Sequence, residues 1–499
     1  MIPPFLLNFI TIMAVLFIFV VGLVAAVLLI LFLIDISQRK NAVRHNYPVL
    51  ARLRPLFEHL GKFFRQYFIT TDRSELPFNR EQRSWVYRAA DGTDPLGAFG
   101  STKNLRPRGT VSFVNALFPL LESEAEVIST VIVGPYCRIP YKTSALFHVS
   151  GMSYGAISKP AVQALSKGAA MAGCWVNTGE GGLSPYHLEG GCDLVFQIGT
   201  AKYGVRTPEG ALDQTLLAEI AGHSQVCMFE VKLSQGAKPG QGGVLPASKV
   251  TEEIARIRGI PVREASLSPN RFPEIESSAD LLDFIERVRV VSGKPTGFKT
   301  VIGAYGWLDE LCEEILRRGI QSAPDFITVD SADGGSGAAP MSLMDGVGLP
   351  LHESLPMVVN KLTTYGLRDR VRVIASGKMI TSTDVAWALC AGADFIQNAR
   401  GFMFALGCIQ AMRCHKNTCP TGVTTHTPRR QRGLDPKDKA VKVMSYAQRV
   451  THDVEVIAHA CGVSEPRRLK RLHARVATES GRTVPLDELY PKANTDTAA

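Results

Sequence analysis

The sequence predicts an α/β protein: a (β/α)8 TIM barrel with an N-terminal transmembrane helix and a helical C-terminal extension. Short apolar runs alternate with helical patterns from about residue 144 onward, an uncharged apolar run fills residues 1–34, and mostly helical patterns fill residues 428–499. Apolar strands that alternate with amphipathic helices are typical of parallel βα units. A single doubly wound sheet remains the alternative that this pattern leaves open.

The N-terminal run contains no charged side chain through residue 34 and is almost wholly Leu, Ile, Val, Phe and Ala from residue 9. About 20 apolar residues cross a bilayer as a helix, so the run is long enough to span it with some tilt. A cleaved signal peptide would instead have basic residues before a shorter apolar core. Arg39, Lys40 and Arg44 follow the run, and the positive-inside rule therefore predicts a single-pass membrane protein whose barrel is cytoplasmic.

The remaining chain divides into three predicted parts. Residues 35–140 are rich in aromatic side chains and are predicted to form a juxtamembrane region that packs on the barrel, which occupies residues 141–427; residues 428–499 form the helical extension. The formal net charge is +9, partly in basic clusters near the apolar run and the C-terminus. Such clusters are usually solvated, so the sequence predicts a membrane surface and no nucleic acid as a partner.

Six barrel strands are predicted as short apolar runs. They extend over Ala145 to Val149, Val226 to Leu233, Gly297 to Ile302, Phe326 to Asp330, Val371 to Ala375 and Phe395 to Asn398. Helices are predicted in SKPAVQALSKGAAMAG, ASKVTEEIARIRG, WLDELCEEILRRG and TSTDVAWALCAGA. About eight βα units of this kind fit a closed barrel with insertions better than an open sheet.

Polar residues and glycines collect just after the predicted strands, in SGMSYG, KLSQGAKPGQGG, DSADGGSG, ASGKM and NARG. In a (β/α)8 barrel these positions share one face, where active sites lie. One such loop is usually a tight turn, but five in succession favour a ligand site. Gly377 and Gly401 follow the last two strands, where amides often bind phosphate, so a phosphate-bearing ligand is expected. Lys299 is predicted to point into the barrel mouth, although a lysine there is more often paired with a carboxylate.

Three cysteines, Cys408, Cys414 and Cys419, lie in GCIQAMRCHKNTCPTG, shortly after the last predicted strand. Three thiolates suit an iron–sulfur cluster, and a proline after the last cysteine recurs in such segments. Zinc fits less well, because His415 adjoins Cys414 and cannot readily share its metal. Three buried structural thiols are the remaining alternative. The other seven cysteines lie mostly singly in apolar segments and are predicted to be buried thiols.

These stretches resemble the FMN-binding and iron–sulfur synthase domain of the glutamate synthase family. The matching segments are SGMSYGAIS, NTGEGG, EVKLSQGAKPGQGG, DGGSGAAP and ALGCIQAMRCHKNTCPTGV, in the family's order, over about residues 135–427. The resemblance implies bound FMN, with Ser150, Met152 and Ser153 against the flavin, Lys299 near its pyrimidine edge, and Gly335, Gly377, Arg400 and Gly401 around its phosphate. It also implies a 3Fe–4S cluster on Cys408, Cys414 and Cys419.

The resemblance further implies a 2-oxoglutarate site formed by Glu180, Gln235 and Lys238, with Glu180 and Lys238 as catalytic residues. The implied reaction is reductive amination of 2-oxoglutarate to glutamate by reduced FMN, the chemistry of oxidoreductases that act on CH–NH2 donors. Electrons would arrive through the cluster from a ferredoxin-like or NAD(P)H-oxidising partner. Glu180 would assist proton movement, or alternatively serve only as a structural partner for a backbone N–H.

Other functions stay open. One is amine or N-methylamine transfer to glutamate with partner subunits, and another is a membrane-bound electron relay without its own substrate. A barrel like those of α-hydroxy-acid oxidases would share the flavin but lack the cysteine segment. The family's glutamine amidotransferase and nicotinamide-binding units are not recognised in these residues, so free ammonia or an amidotransferase partner is expected. GQGG at 240–243 stands where the family commonly has GEGG, and SPNRFPEI at 268–275 differs from the family's usual form.

Overall fold

The structure, a computed structural model, describes residues 3–38, 42–93, 96–304 and 306–491. Contacts divide the chain into two compact units, Met1–Glu81 and Gln82–Ala499. Arg39 and Lys40, on which the predicted membrane orientation partly rests, lie outside the described residues.

The first unit is helical. Helix α1 spans Pro4–Ser37, α2 spans Ala42–Asn46 and α3 spans Leu50–Phe64, which a π-helical turn extends over Arg65–Ile69. Within the part of the chain that the structure describes, α1 is the one helix long and apolar enough to cross a membrane, and its most apolar stretch is not buried. A signal sequence near the N-terminus passes the same test of length and composition.

The second unit contains a closed barrel of eight parallel strands, which confirms the predicted fold class. The strands are β1 (Phe147–Val149), β2 (Val176–Asn177), β3 (Leu194–Ile198), β4 (Val226–Lys232), β5 (Thr296–Val301), β6 (Phe326–Asp330), β7 (Arg372–Ser376) and β8 (Phe395–Asn398). Each strand pairs with the next along the chain, and β8 pairs with β1. The six predicted strands are all present, whereas β2 and β3 were not among them.

The remaining helices surround the barrel or follow it. They are α4 (Arg80–Asp91), α5 (Lys159–Ala172), α6 (Pro185–Leu188), α7 (Gln214–Gly222), α8 (Glu252–Arg258), α9 (Ser278–Ser292), α10 (Gly306–Arg318), α11 (Met341–Met344), α12 (Leu351–Thr364), α13 (Ser382–Ala391), α14 (Arg400–Ala405), α15 (Pro428–Gln431), α16 (Pro436–Ala460) and α17 (Leu486–Leu489). The four predicted helices correspond to α5, α8, α10 and α13. Helix α5 shows why these boundaries form: the Ser158 side chain caps its first turn, and Gly173 ends it with φ of 69°.

The C-terminal extension covers the barrel through α16, which packs along α5. The contact is close because Gly168 has no side chain: a Cβ there would lie 2.5 Å from the Cβ of Val443. The extension is not purely helical, since Ala474–Ala477 and Thr483–Pro485 join Val111–Phe113 in a three-stranded antiparallel sheet.

An apolar cluster, here called the barrel floor, fills the N-terminal end of the barrel. An antiparallel hairpin of Val131–Val133 and Tyr141–Thr143 lies at this end, and the Tyr141 hydroxyl donates to Asp193 at 2.8 Å, next to β3. The floor consists of Val133, Tyr141, Trp175, Val195, Met228, Phe326, Ile374 and Phe395. Two of these residues belong to the hairpin and the others to the strands or their first flanking position, so the hairpin closes this end.

A polar residue follows every strand residue of the floor two positions later. These residues, here called the polar layer, are Asn177, Gln197, Glu230, Thr328, Ser376 and Gln397, and all are buried. Side chains at positions i and i+2 of a strand point to the same face. The polar layer therefore lies on the floor, on the side of the carboxyl ends of the strands.

Candidate active site

Glu230 is the centre of the polar layer. Its Oε1 atom accepts hydrogen bonds from Asn177 Nδ2 at 2.8 Å and from Gln197 Nε2 at 2.6 Å, and its Oε2 atom accepts one from Thr328 Oγ1 at 2.6 Å. Four strands thus meet at a single carboxylate that is fully buried. A buried carboxyl group with this many hydrogen-bond partners is well satisfied, and through it Glu230 links four strands below the mouth.

Gln397 differs from the other members of this layer. Both its Oε1 and its Nε2 atoms are buried without a hydrogen-bond partner in the structure. Leaving such groups unsatisfied costs about 1–3 kcal/mol each. An amide offers one acceptor and two donors side by side, and this matches the edge of a flavin pyrimidine ring, which also alternates acceptors and a donor.

A second cluster, here called the mouth cluster, lies one further step along the strands. Lys232 at the end of β4 pairs with Glu180 of the NTGEGG loop, Nζ to Oε2 3.2 Å, and donates a hydrogen bond to Gln235 Oε1. Gln235 Nε2 donates to Ser336 Oγ at 3.1 Å. Two of the residues predicted for substrate binding, Glu180 and Gln235, are therefore bridged by Lys232, which the sequence analysis missed.

Charge is unevenly distributed in the mouth cluster. Burial alone would raise the pKa of Glu180, but Lys232, Lys238 and Arg258 hold it below its usual value. Burial, together with Lys232, lowers the pKa of Lys238 to about 8, against the opposing effect of Glu180. Three cations and one carboxylate leave these four groups with a net charge of +2 when all are ionised, so the cluster is suited to an anion.

Lys299 is in the mouth as predicted, and it is paired. Its Nζ lies 3.1 Å from Asp330 Oδ2, which also accepts the Gly236 amide at 2.9 Å. Burial disfavours the charged lysine, but Asp330 and Glu230 raise its pKa above the usual value. The carboxylate partner that the sequence pattern left open is thus Asp330.

Two loops are joined across the mouth. The Ala237 amide donates to the Ala332 carbonyl at 2.8 Å, which links the loop after β4 to the loop after β6. Gly236 permits this approach, because a Cβ there would lie 2.2 Å from the Ser331 carbonyl oxygen. The join holds the segment from Gln235 to Lys238 over the barrel.

The loops after β1 and β2 are in equally close contact. The Ser150 amide donates to the Asn398 carbonyl at 3.0 Å, and Ser150 and Met152 are both buried. Gly179, with φ of 65°, lies so close to Ser153 that a Cβ would be 2.4 Å from its amide nitrogen. Ser150, Met152 and Ser153 thus lie beside the NTGEGG loop that carries Glu180.

Three of the four residues predicted for phosphate, Gly335, Gly377 and Arg400, lie at the loop after β6. A Cβ at Gly335 would lie 3.0 Å from Arg400 Nε, and one at Gly377 would lie 2.7 Å from the Cβ of Ser331. Burial lowers the pKa of Arg400 to about 10, while Asp333 and Asp330 oppose that shift. The Gly401 amide already donates to Asn398 Oδ1 at 2.6 Å, so its amide has a partner within the protein.

The three cysteines of the 408–419 segment are part-buried or buried. Burial raises the pKa of Cys408 to about 12, and the other two thiols add to this. Burial would also raise the pKa of Cys419, but Thr421 and Thr424 hold it below the usual value. Within the described residues, no three Cys, His, Asp or Glu side chains form a group that could hold one metal ion. A cluster with several irons binds each thiolate to a different iron, so such a cluster does not require the three thiols to converge on a single point.

Lys249 lies beside these cysteines and was not predicted. It is buried, its Nζ donates to the Ala156 carbonyl at 2.8 Å, and Cys414 and Cys419 act on its pKa, which burial lowers to about 8. Asn417 Nδ2 also donates to the Ser248 carbonyl at 2.8 Å, which ties the cysteine segment to this turn. No sequence signal places Lys249 here, since about 160 residues separate it from the cysteines.

The two segments that depart from the glutamate synthase pattern touch each other. The Ser268 amide donates to the Gly243 carbonyl at 2.9 Å, and a Cβ at Gly242 would lie 2.0 Å from the Ser268 carbonyl oxygen. Gly243 also faces Glu180, because a Cβ there would lie 2.1 Å from Glu180 Oε1. Both departures therefore border the mouth cluster.

Residues 102–464 match the family described as "Conserved region in glutamate synthase". The chain belongs to the glutamate synthase family. It is 36% identical over 521 aligned residues to the glutamate synthase large subunit-like protein YerD of Bacillus subtilis. This alignment covers 96% of this chain and 98% of that protein. It is 32% identical to the archaeal glutamate synthase [NADPH] of Methanocaldococcus jannaschii, over 64% of this chain and 60% of that protein.

The similarity of this chain to solved structures is low. The flavin-binding domain of baker's yeast flavocytochrome b2 is 14% identical, with a TM-score of 0.44, over 83% of this chain and 84% of that one. A mandelate oxidase in complex with 2-hydroxy-phenylacetamide is 14% identical, with a TM-score of 0.46, over 79% of this chain and 98% of that one. Similarities this low establish neither the fold nor the site of this chain.

Proposed function

We propose that this protein is a membrane-anchored, glutamate synthase-like oxidoreductase that forms glutamate from 2-oxoglutarate and ammonia. The observation that supports it best is the mouth cluster, in which Lys232, Lys238 and Arg258 surround the single carboxylate of Glu180. The net charge of +2 on these groups matches the two carboxylates of 2-oxoglutarate. Membership of the glutamate synthase family supports the same substrate.

The cations of the mouth cluster bind and orient the substrate. Lys232 and Lys238 provide charge-assisted hydrogen bonds for its carboxylates, and Gln235, which Lys232 and Ser336 hold in place, fixes their direction. The joined loops after β4 and β6 limit the access of water to the keto carbon. These contacts hold the imine that 2-oxoglutarate and ammonia form with loss of water.

Glu180 is the group for proton movement in this proposal. Its lowered pKa keeps it ionised at neutral pH, so it accepts a proton rather than donates one. The proton that the attacking amine loses would pass to a Glu180 oxygen. Gly199 and Gly243 leave room for this carboxylate, because a Cβ at either glycine would come within 2.7 Å of its oxygens.

FMN is the cofactor we propose, and it would supply the hydride. Ser150, Met152 and Ser153 would face the flavin, Lys299 its pyrimidine edge, and Gln397 would be an additional amide partner there. Gly335, Gly377, Arg400 and Gly401 would surround the phosphate, although Gly401 already donates its amide to Asn398. The unpartnered amide of Gln397 supports a ligand at this depth of the barrel.

Cys408, Cys414 and Cys419 are proposed to hold a 3Fe–4S cluster that receives electrons from a ferredoxin-like or NAD(P)H-oxidising partner. Cys414→Ser is expected to remove most of the iron and leave FMN bound, because the proposed flavin contacts come from other loops. Iron and flavin are measured together on the purified protein, and Cys312→Ser is the control because that buried thiol lies in α10. Unchanged iron in the Cys414 variant would rule out the cluster assignment.

The activity is tested by glutamate formation from 2-oxoglutarate with chemically reduced protein. We expect product with an ammonium salt, and none with glutamine unless an amidotransferase partner is added. The seven cysteines outside the 408–419 segment are poor nucleophiles, since burial raises the pKa of each, to about 12 for Cys137, Cys174, Cys227 and Cys312. Glutamine-dependent turnover by this chain alone would contradict the proposal.

A second candidate is transfer of another amine, such as N-methylamine, onto glutamate with partner subunits. The observation that favours it is that both departures from the family pattern, GQGG and SPNRFPEI, border Glu180. A parallel assay with glutamate and methylamine as substrates distinguishes the two candidates: formation of N-methylglutamate with release of ammonia would favour the second. No product from any amine would favour the electron relay.

We further propose that α1 spans the membrane with the barrel on the cytoplasmic side. The exposed apolar surface of α1 supports the span, and the basic residues that follow α1 in the sequence support the orientation. Full-length protein is expected to sediment with membranes and to resist extraction by salt. Recovery of a chain that lacks α1 in the soluble fraction, shown by mass spectrometry, would support a cleaved signal sequence instead.

A further inference from the structure

Helix α3 and the π-helical turn after it expose a long apolar face. Phe57 is 64% exposed and Phe68 is 79% exposed. The apolar positions recur every three or four residues, at Leu50, Leu53, Phe57, Leu60, Phe64 and Phe68, and all are exposed. This spacing places them on one side of a helix. The aromatic rings of Phe64 and Phe68 are also neighbours, with centroids 5.7 Å apart.

The other side of α3 is charged. Arg54 Nε donates to Glu58 Oε1 at 2.7 Å, both side chains are more than 60% exposed, and Arg65 is exposed as well. A helix with one aromatic-rich apolar face and one basic polar face is typical of segments that lie in the plane of a membrane interface. An apolar face of this length is rare on the water-exposed surface of a protein.

A buried ion pair fixes α3 to the end of α1. Arg52 donates from Nε to Asp35 Oδ2 at 2.8 Å and from Nη2 to Asp35 Oδ1 at 2.7 Å, and the Val49 amide donates to the same carboxylate at 3.0 Å. Asp35 is 1% exposed. A two-point contact of this kind restricts both distance and direction. It holds the first turn of α3 beside the last turn of α1.

The length of α1 places that junction near the membrane surface. A helix of 34 residues is about 51 Å long at 1.5 Å per residue. The hydrocarbon core of a bilayer is about 30 Å thick, so the ends of a spanning α1 extend into the headgroup region. The charged pair of Asp35 and Arg52 would then lie among the headgroups, and α3 would begin there.

We propose that α3 and Arg65–Ile69 lie in the interface of the bilayer that α1 enters. Leu53, Phe57 and Phe64 face the acyl chains, and Arg54 and Arg65 face water and the lipid phosphates. The bilayer is the occupant because the apolar face starts where the apolar surface of α1 ends and is fixed there by Asp35. Residues 50–69 therefore pack against lipid in this proposal, whereas the sequence predicts that residues 35–140 pack on the barrel.

The test compares adjacent positions in the full-length chain. Phe57→Trp and Glu58→Trp are each reconstituted in phosphatidylcholine vesicles that contain a phospholipid brominated on its acyl chains. Emission is measured as the difference from the unsubstituted protein, which has four tryptophans. We expect the tryptophan from Phe57→Trp to lose its emission to bromine and that from Glu58→Trp to keep it. The pair Phe64→Trp and Arg65→Trp repeats the comparison further along the helix.

Each outcome decides the proposal. Selective quenching at the apolar positions of both pairs supports it. Equal quenching at both positions of a pair overturns the proposed orientation. Blue-shifted emission from Phe57→Trp without quenching means that protein, either the barrel or a second copy of this chain, covers the face. If mass spectrometry shows that the chain lacks α1 and the introduced tryptophans are not quenched, the proposal is overturned as well.

Discussion

The barrel floor and the polar layer occupy the same strands, two residues apart, and differ in how their side chains are satisfied. The floor is an apolar cluster closed by a hairpin. The polar layer and the mouth cluster above it keep an unpartnered amide, Gln397, and three cations around Glu180. Buried polar and charged groups cost free energy unless they are paired. The difference teaches that packing in the floor contributes stability, whereas the polar layer and the mouth cluster contain groups that cost stability in the free protein.

Truncation in the floor is expected to have the largest effect. Phe326→Ala should lower the free energy of unfolding by about 3–5 kcal/mol, because it leaves a cavity in a closely packed cluster. Phe326 is fully buried, and Gly297 leaves room for its ring. Denaturant unfolding measures the change, with Phe118→Ala as a control because Phe118 is 84% exposed. A loss no larger than the control's would mean that the floor does not carry the stability.

Truncation in the mouth should act on binding instead. Lys238→Ala is expected to weaken 2-oxoglutarate binding by about 1.5–3 kcal/mol, or roughly 10- to 150-fold, through loss of a charge-assisted hydrogen bond. Stability should not fall, since burial already disfavours this charge. Calorimetric titration and denaturant unfolding measure the two quantities. Lys167→Ala, which removes a part-exposed lysine paired with Glu189, is the control. An unchanged dissociation constant would point to a different substrate.

Gln397→Leu should separate stability from cofactor binding within the polar layer. Removal of a buried, unpartnered amide is expected to raise the free energy of unfolding of the FMN-free protein by about 1–3 kcal/mol. The same change should weaken FMN binding, since the leucine offers no hydrogen bond. Gln163→Leu is the control, because its amide already donates to Glu189 at 2.6 Å. A variant that is less stable without FMN would show that Gln397 has partners in the protein.

The smallest expected effect is the change in 2-oxoglutarate binding with pH. The pKa of Lys238 is lowered to about 8 by burial and by Lys232, so this lysine is cationic below that pH and neutral above it. Binding of 2-oxoglutarate, measured without ammonium, should therefore weaken as the pH rises through about 8. In Lys238→Met this step should disappear, while any pH dependence due to Glu180 should stay. A step that persists in the variant would assign it to another group.

The sequence predicted the strands that alternate with long helices and missed the two that do not. β2 has two residues, and only the four-residue α6 lies between it and β3. The alternation of strands and amphipathic helices is therefore interrupted at this point, although Leu194–Ile198 is apolar at every position except Gln197. The mixed extension was missed for a similar reason, since its two strands contain only three or four residues.

The sequence predicted the three charged or amide residues of the mouth cluster that lie in loops after strands, and it missed the two cations that lie within a strand and a helix. Glu180, Gln235 and Lys238 follow strand ends within recognisable loops, and the structure brings them together around Lys232. Lys232 could have been found from its strand, since Glu230 and Lys232 are two residues apart and must share the inner face. Arg258 ends helix α8 and reaches Glu180 only through the fold, so no local pattern predicts it.

Because the hairpin closes the floor end of the barrel, ligands would reach the polar layer past the carboxyl ends of the strands. If FMN lies against the polar layer and 2-oxoglutarate against the mouth cluster, both molecules use the same route and one lies behind the other. The inner molecule must then arrive first and leave last. Bound 2-oxoglutarate would then slow the dissociation of FMN. The flavin would stay bound through many turnovers, while the substrate would exchange in each one.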